Sequence, residues 1–118
     1  EDYEKAIQTI KKAIQINKLF QKGINDKLNR DYNFLGIIYV KYGNLNKALS
    51  YFLKANKIEA NLFSDNPELR IVTWLNIGKI YLKMNDKNNL KIYLDMINAL
   101  PEDIIEEYSS YIKDLIIS

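Results

Sequence analysis

Gly43-Asn44-Leu45-Asn46-Lys47-Ala48-Leu49-Ser50-Tyr51-Phe52-Leu53-Lys54-Ala55 decides the fold of this chain. Gly43-Asn44 is a break where a residue tolerant of positive φ is wanted, and a helix begins directly after it. Ala48, Phe52 and Ala55 follow at spacings of four and three, so they share one helical face. The small residues there accept large ones from a neighbouring helix. Upstream, Tyr32, Leu35 and Tyr39 supply such residues, and Gly36 among them lacks the Cβ that would hold two backbones apart.

The same plan recurs 42 residues further on. Gly36 falls on Gly78, Tyr32 on Trp74, Leu35 on Ile77 and Tyr39 on Tyr81; Gly43 falls on Asn85 and Phe52 on Leu94. The shift also lays Lys5-Ala6 on Lys47-Ala48, and Lys12, Ala13 and Ile16 on Lys54, Ala55 and Ile58. The third copy is weaker, with Leu90 and Ile97 where the second has alanine. A period of this length means a stack of similar units, none able to bury its apolar face alone. Stacked units build long concave surfaces, which points to an interaction protein before an enzyme.

The stretch from Gly43 to Ala55, with an earlier copy in Asp2-Tyr3-Glu4-Lys5-Ala6-Ile7, resembles the tetratricopeptide repeat, a helix–turn–helix unit. The resemblance covers about 100 residues and implies an all-α solenoid of about two and a half repeats with a C-terminal capping helix. Residues 1–24 read as the second helix of a truncated repeat, 25–60 and 61–100 as repeats, and 101–118 as the cap. The chain opens without methionine and inside a repeat, as expected for a piece of a larger protein.

Six helices are expected. The first spans about Asp2–Lys18 and is closed by a turn at Gln21–Asn25 that contains Gly23. The second spans Asp26–Tyr42 and the third Leu45–Ile58. A loop over Ala60–Asn66 precedes Asp65-Asn66-Pro67-Glu68, a helix start with a cap, a proline in the first turn and an acid at the positive dipole end. The fourth helix continues to Met84 and the fifth spans Lys87–Asn98. The last runs from Pro101-Glu102-Asp103 toward Ile117. A shift of 34 lays Tyr108 on Trp74, Tyr111 on Ile77 and Leu115 on Tyr81, but puts Ile112 where a following helix would need glycine, so this helix should end the stack.

Composition removes several kinds of chemistry. With 118 residues, 47% of them hydrophobic, the chain has the material for one continuous core. It has no cysteine, hence no disulfide or thiolate site, which fits a cytosolic protein. It has no histidine, hence no Ser-His or Cys-His nucleophile. The four glycines stand singly, without a phosphate-cradling motif. Glu102/Glu106 and Asp103/Glu107 are carboxylate pairs one turn apart that read as a solvated acidic face rather than a metal site. Neither an enzyme, a cofactor nor a metal is expected. No apolar run nears the roughly 20 residues needed to span a bilayer. A net charge of +2 gives no argument for nucleic acid. Ile, Asn, Lys and Tyr supply 56 of 118 residues, a bias that suggests an AT-rich genome, such as that of a low-GC bacterium, and that some parasites share.

The resemblance also implies a ligand face. In such stacks the first helix of each unit lines the concave side, mainly through positions 2, 5, 6, 9, 12 and 13. Here those are Arg30, Asn33, Phe34, Ile37, Val40 and Lys41, then Val72, Leu75, Asn76, Lys79, Leu82 and Lys83. Asparagine can pair with a peptide backbone and lysine or arginine with carboxylates, while apolar members seat side chains. Phe34 and Leu82 are expected in the core, leaving Arg30, Asn33, Ile37, Lys41, Val72, Leu75, Asn76, Lys79 and Lys83 as ligand-binding candidates. The long period is similar to that of peptide-sensing regulators of low-GC Gram-positive bacteria, implying the sensor part of a transcriptional regulator; the alternative is a structural or oligomerisation domain. The expected partner is a peptide or protein in the groove. A homodimer through the terminal helices is a further expectation, because Ala6, Ile10 and Ala13 lack a covering helix and the other end finishes with Leu115, Ile116 and Ile117; Ile112 and Ile116 are the residues expected at that contact.

Overall fold

The computed structural model describes residues 2–116; Glu1, Ile117 and Ser118 lie outside the described residues, and with them the expected last apolar position at Ile117. Every regular element among the described residues is helical: α1 (Asp2–Lys41), α2 (Leu45–Leu62), a 3-10 turn at Pro67–Arg70, α3 (Ile71–Lys83), α4 (Lys87–Asn98), α5 (Glu102–Glu107) and α6 (Ser109–Ile116). Neighbouring helices pack side by side as a helical repeat, and the molecule is elongated at 68 × 33 × 22 Å.

The largest departure from the sequence reading is α1. The expected turn at Gln21–Asn25 does not form, and one helix of 40 residues replaces two. The period explains why. It lays Asn25 on Pro67, the residue that interrupts the helical path between α2 and α3. Without a proline, nothing at Asn25 removes a backbone donor or clashes with the preceding turn. Gly23 alone costs a helix only about 1 kcal/mol relative to alanine. The C-terminal half of α1 packs on α2, whereas residues 4–24 are exposed along their whole length.

Turns at the ends of α1 and α3 repeat one device. Asn44 N–H donates to Tyr39 O (2.9 Å) and Gly43 N–H to Val40 O (3.0 Å), with Gly43 at φ 78°. One period later Asp86 N–H donates to Tyr81 O (2.9 Å) and Asn85 N–H to Leu82 O (3.0 Å), with Asn85 at φ 57°. Both are Schellman closures, which satisfy the last carbonyls of a helix through a left-handed residue. The helices that follow are capped alike: Asn44 Oδ1 accepts from Lys47 N–H and Asp86 Oδ1 from Asn89 N–H.

The core is centred on α3. Ile71, Trp74, Ile77 and Ile80 are buried there against Phe52 of α2, Leu90 and Ile97 of α4, and Ile112 and Leu115 of α6. Gly36 and Gly78 mark the closest approaches, of Phe52 to α1 and of Leu115 and Leu90 to α3. On another side of the α1–α2 pair, Tyr39 and Tyr51 stack with ring centroids 5.6 Å apart, and Lys47 and Lys54 cover those rings.

Smaller corrections follow. α2 runs four residues beyond Ile58, which shortens the expected loop to 63–66. Asn66 makes no side-chain capping bond, and Pro67 opens a 3-10 turn before α3. The last helix is broken at Tyr108 into α5 and α6. Ile112 is buried, only 5% exposed, so it belongs to the core and is not free for the expected contact with a neighbouring molecule. Phe34, expected in the core, is 64% exposed, because it points away from α2 where no helix covers α1. Leu82 does pack against the core.

Candidate functional site

Two adjoining cavities lie along the surface formed by α1, α3 and the terminal helices. The first, about 250 Å³, is lined by Val72, Leu75, Asn76, Lys79, Tyr108 and Tyr111. The second, about 210 Å³, is bounded by Ile37, Val40 and Lys41 of α1, Leu45 and Phe52 of α2, and Asn76, Lys79, Ile80 and Lys83 of α3. Asn76 and Lys79 belong to both, so together the cavities form a groove with α3 as its floor.

Of the residues expected to bind a ligand, Ile37, Lys41, Val72, Leu75, Asn76, Lys79 and Lys83 line this groove. The helical path accounts for it: Val72, Asn76, Lys79 and Lys83 follow at spacings of four, three and four along one face of α3. Leu75 contributes only an edge, since it is 7% exposed and packs into the core. Val72 and Ile37 are open, while Lys41, Lys79 and Lys83 give the rim positive charge. Arg30 is exposed on α1 but lines neither cavity.

Asn33 is placed elsewhere. Its Nδ2 donates to Asn29 Oδ1 (3.2 Å) and Glu59 Oε2 (3.3 Å), and its Oδ1 lies 3.2 Å from the Thr73 hydroxyl. Thr73 in turn donates to Glu59 Oε2 at 2.8 Å. This polar knot joins α1, α2 and α3. Glu59 is 2% exposed, and its Oε1 has no partner among the described residues. Burial pushes its carboxyl above the ordinary value of 4.5, while the bonds from Thr73, Asn33 and Asn29 and the charge of Arg70 pull the other way.

A second knot fixes the next junction. Asn56 Oδ1 accepts from Arg70 Nη2 (2.7 Å) and Trp74 Nε1 (3.1 Å), and its Nδ2 donates to Tyr93 Oη at 3.4 Å. The Arg70 guanidinium also sits 4.9 Å from the centroid of the Trp74 ring. Asn56 therefore ties α2 to both α3 and α4, and the floor of the groove is held by polar bonds as well as by apolar burial.

Tyr108 and Tyr111 were not expected at the site. The shift of 34 assigned them to packing positions, but the break at Tyr108 turns α6, and both rings close one end of the groove with centroids 6.2 Å apart. The only sequence sign was the pair itself, two amphipathic rings in a helix that ends a stack. Among the described residues there is no cluster of carboxylates that could hold a metal, and no helix is long and apolar enough to cross a membrane.

An all-helical stack of paired helices with a groove along one face defines a helical-repeat scaffold. The family model of the tetratricopeptide repeat matches residues 1–18, 32–62 and 71–95, and the chain belongs to that family. Repeats of this family are non-catalytic protein-interaction modules. Comparison with curated protein sequences and with solved structures gave no match.

Proposed function

We propose that this chain binds an extended acidic peptide, or an acidic segment of a protein, in the groove floored by α3. The observation that carries this reading is the sharing of Asn76 and Lys79 by two adjoining cavities, with Lys41 and Lys83 beside them. A half-buried asparagine can donate to and accept from a peptide backbone while ammonium groups on the rim meet carboxylates. Val72, Ile37 and the two tyrosines offer apolar surface between the charges. The long repeat period and the AT-rich composition support placing such a module in the cytoplasm of a bacterium, as the sensor part of a transcriptional regulator.

A display library of random peptides tests this directly. It should enrich acidic sequences that bind the wild type in titration calorimetry, more weakly as salt rises. Asn76→Ala and the double change Lys79→Ala/Lys83→Ala should each weaken the enriched peptides at least tenfold, with the melting temperature unchanged. Enriched peptides that bind these variants as well as the wild type would place recognition outside the groove. The other reading, an oligomerisation domain with an empty groove, draws on the uncovered face of α1.

A further inference from the structure

The uncovered half of α1 carries an ordered apolar stripe. Ile7, Ile10, Ile14 and Asn17 follow at spacings of three and four, and Gln21, Ile24 and Leu28 continue the same heptad. Ile7, Ile10 and Ile14 are each half exposed or more. On the packed half of the same helix the stripe resumes as Asp31, Leu35 and Ile38, and there too it is only partly covered.

The 42-residue period states what this stripe should meet. In the α2–α3 seam, Glu59 bonds Thr73, and Phe52 bounds a cavity together with Ile80. Moved back one period, these pairs become Asn17 with Asp31 and Ile10 with Ile38. Within one chain neither pair can form, because a continuous helix of 40 residues holds its two halves apart. Between two chains every pair forms at once. Both pairs are symmetric about residue 24, so two α1 helices crossing antiparallel there would satisfy the register twice.

We propose that the chain forms a two-fold symmetric, exchanged dimer. The N-terminal half of α1 in each copy takes, on the other copy, the place that α2 takes on α3. Layer by layer the match is self-complementary. Ile10 meets Ile38, Ile14 meets Leu35, and Ile24 meets its own symmetry mate. At the polar layer the Asn17 amide donates to the Asp31 carboxylate, where the α2–α3 seam has its own polar pair. Gln21 against Leu28 is the one mixed layer, next to Gly23, which has no heavy atom within 4 Å of a built Cβ and leaves room for the helices to cross. The seam runs roughly 50 Å at 1.5 Å per residue, long enough to bury about the 800 Å² per partner of a stable specific interface. The device that selects exchange is Asn25, which stands where the next repeat has Pro67 and lets the helix run on instead of folding back.

The absence of native cysteine makes the test simple. Light scattering of the whole chain should give twice the chain mass at 100 μM. Ile24→Cys should oxidise almost completely to a covalent dimer, whereas Ile16→Cys, off the stripe, should not. The double variant Ile14→Cys/Leu35→Cys should cross-link between chains, and adding Asn25→Pro should convert those cross-links to intramolecular ones and halve the mass. A monomer whose Ile14 and Leu35 cysteines bond within one chain overturns the proposal in favour of a closed hairpin. A monomer that forms neither link overturns it too, and assigns the stripe to a different protein.

Discussion

Phe52 lies so close to Gly36 that a β-carbon built on the glycine would stand 2.6 Å from Cε1 of the ring. Phe52 is 1% exposed, so its ring must be displaced within the core to admit a β-carbon. Gly36→Ala should therefore destabilise the fold by about 1–3 kcal/mol through overpacking. Gly78 occupies the same place one period later, yet the nearest atoms to its built Cβ are methyls, of Leu115 at 3.1 Å and 3.7 Å and of Leu90 at 3.5 Å. A leucine end can yield, and alanine is about 1 kcal/mol better than glycine within a helix. Gly78→Ala should change stability by less than about 1 kcal/mol. Urea denaturation of both variants checks the contrast, and equal losses would contradict it.

Asn33 and Asn76 are both expected at the ligand face but serve different ends. Removing the Asn33 amide strips Glu59 and Asn29 of a donor, so Asn33→Ala should cost about 1–2 kcal/mol. Asn76→Ala, facing the groove, should leave the melting temperature within a degree of the wild type. Thermal denaturation of the pair decides this, and the reverse ranking would mean that Asn76 supports the core.

Glu59 makes stability depend on acidity in an uncommon direction. Its folded-state pKa is raised above 4.5 by burial. Between 4.5 and that raised value the folded chain holds a proton that the unfolded chain has lost, so this group's contribution falls as pH rises through the window. Below the window the contribution is complete. Glu59→Gln should remove it, so the variant should gain on the wild type as the solution goes from pH 4 to pH 7. Melting curves at both values test this, and a constant difference between the two proteins would rule it out.

The left-handed residues Gly43 and Asn85 offer a fourth measurement. Nothing lies within 4 Å of a Cβ built on Gly43, so Gly43→Ala acts through backbone strain alone and should cost about 1 kcal/mol. Asn85→Gly relieves the same strain at φ 57° and should stabilise by roughly 0.5 kcal/mol. Opposite signs in one urea series are the expected result.

The helical stack was legible because glycine and alanine report close packing: Gly36, Ala48 and Ala55 are all buried. The run of α1 through Gly23 was not. A lone glycine resembles a break, although its cost in a long helix is small, and the stronger sign was the proline missing at Asn25. Much of the groove could be read because Asn76 and Lys79 follow along one face of α3, and Ile37 and Lys41 along one face of α1. Asn33 shares that face, but its role rests on Glu59 and Thr73, 26 and 40 residues away, which no local pattern reveals. Tyr108 and Tyr111 escaped because a single break re-aims a short helix.

The extensive packing joins helices that follow one another, α1 with α2, α2 with α3 and α3 with α4, and only α6 returns across a longer span. Bringing such partners together requires closing short stretches of chain, so little entropy is lost before each new contact forms. The chain should collapse within milliseconds, starting at α3, which receives neighbours from both directions. Refolding would then have two clocks: a fast one for each molecule alone, and a slower, concentration-dependent one when the free arm of α1 finds its counterpart.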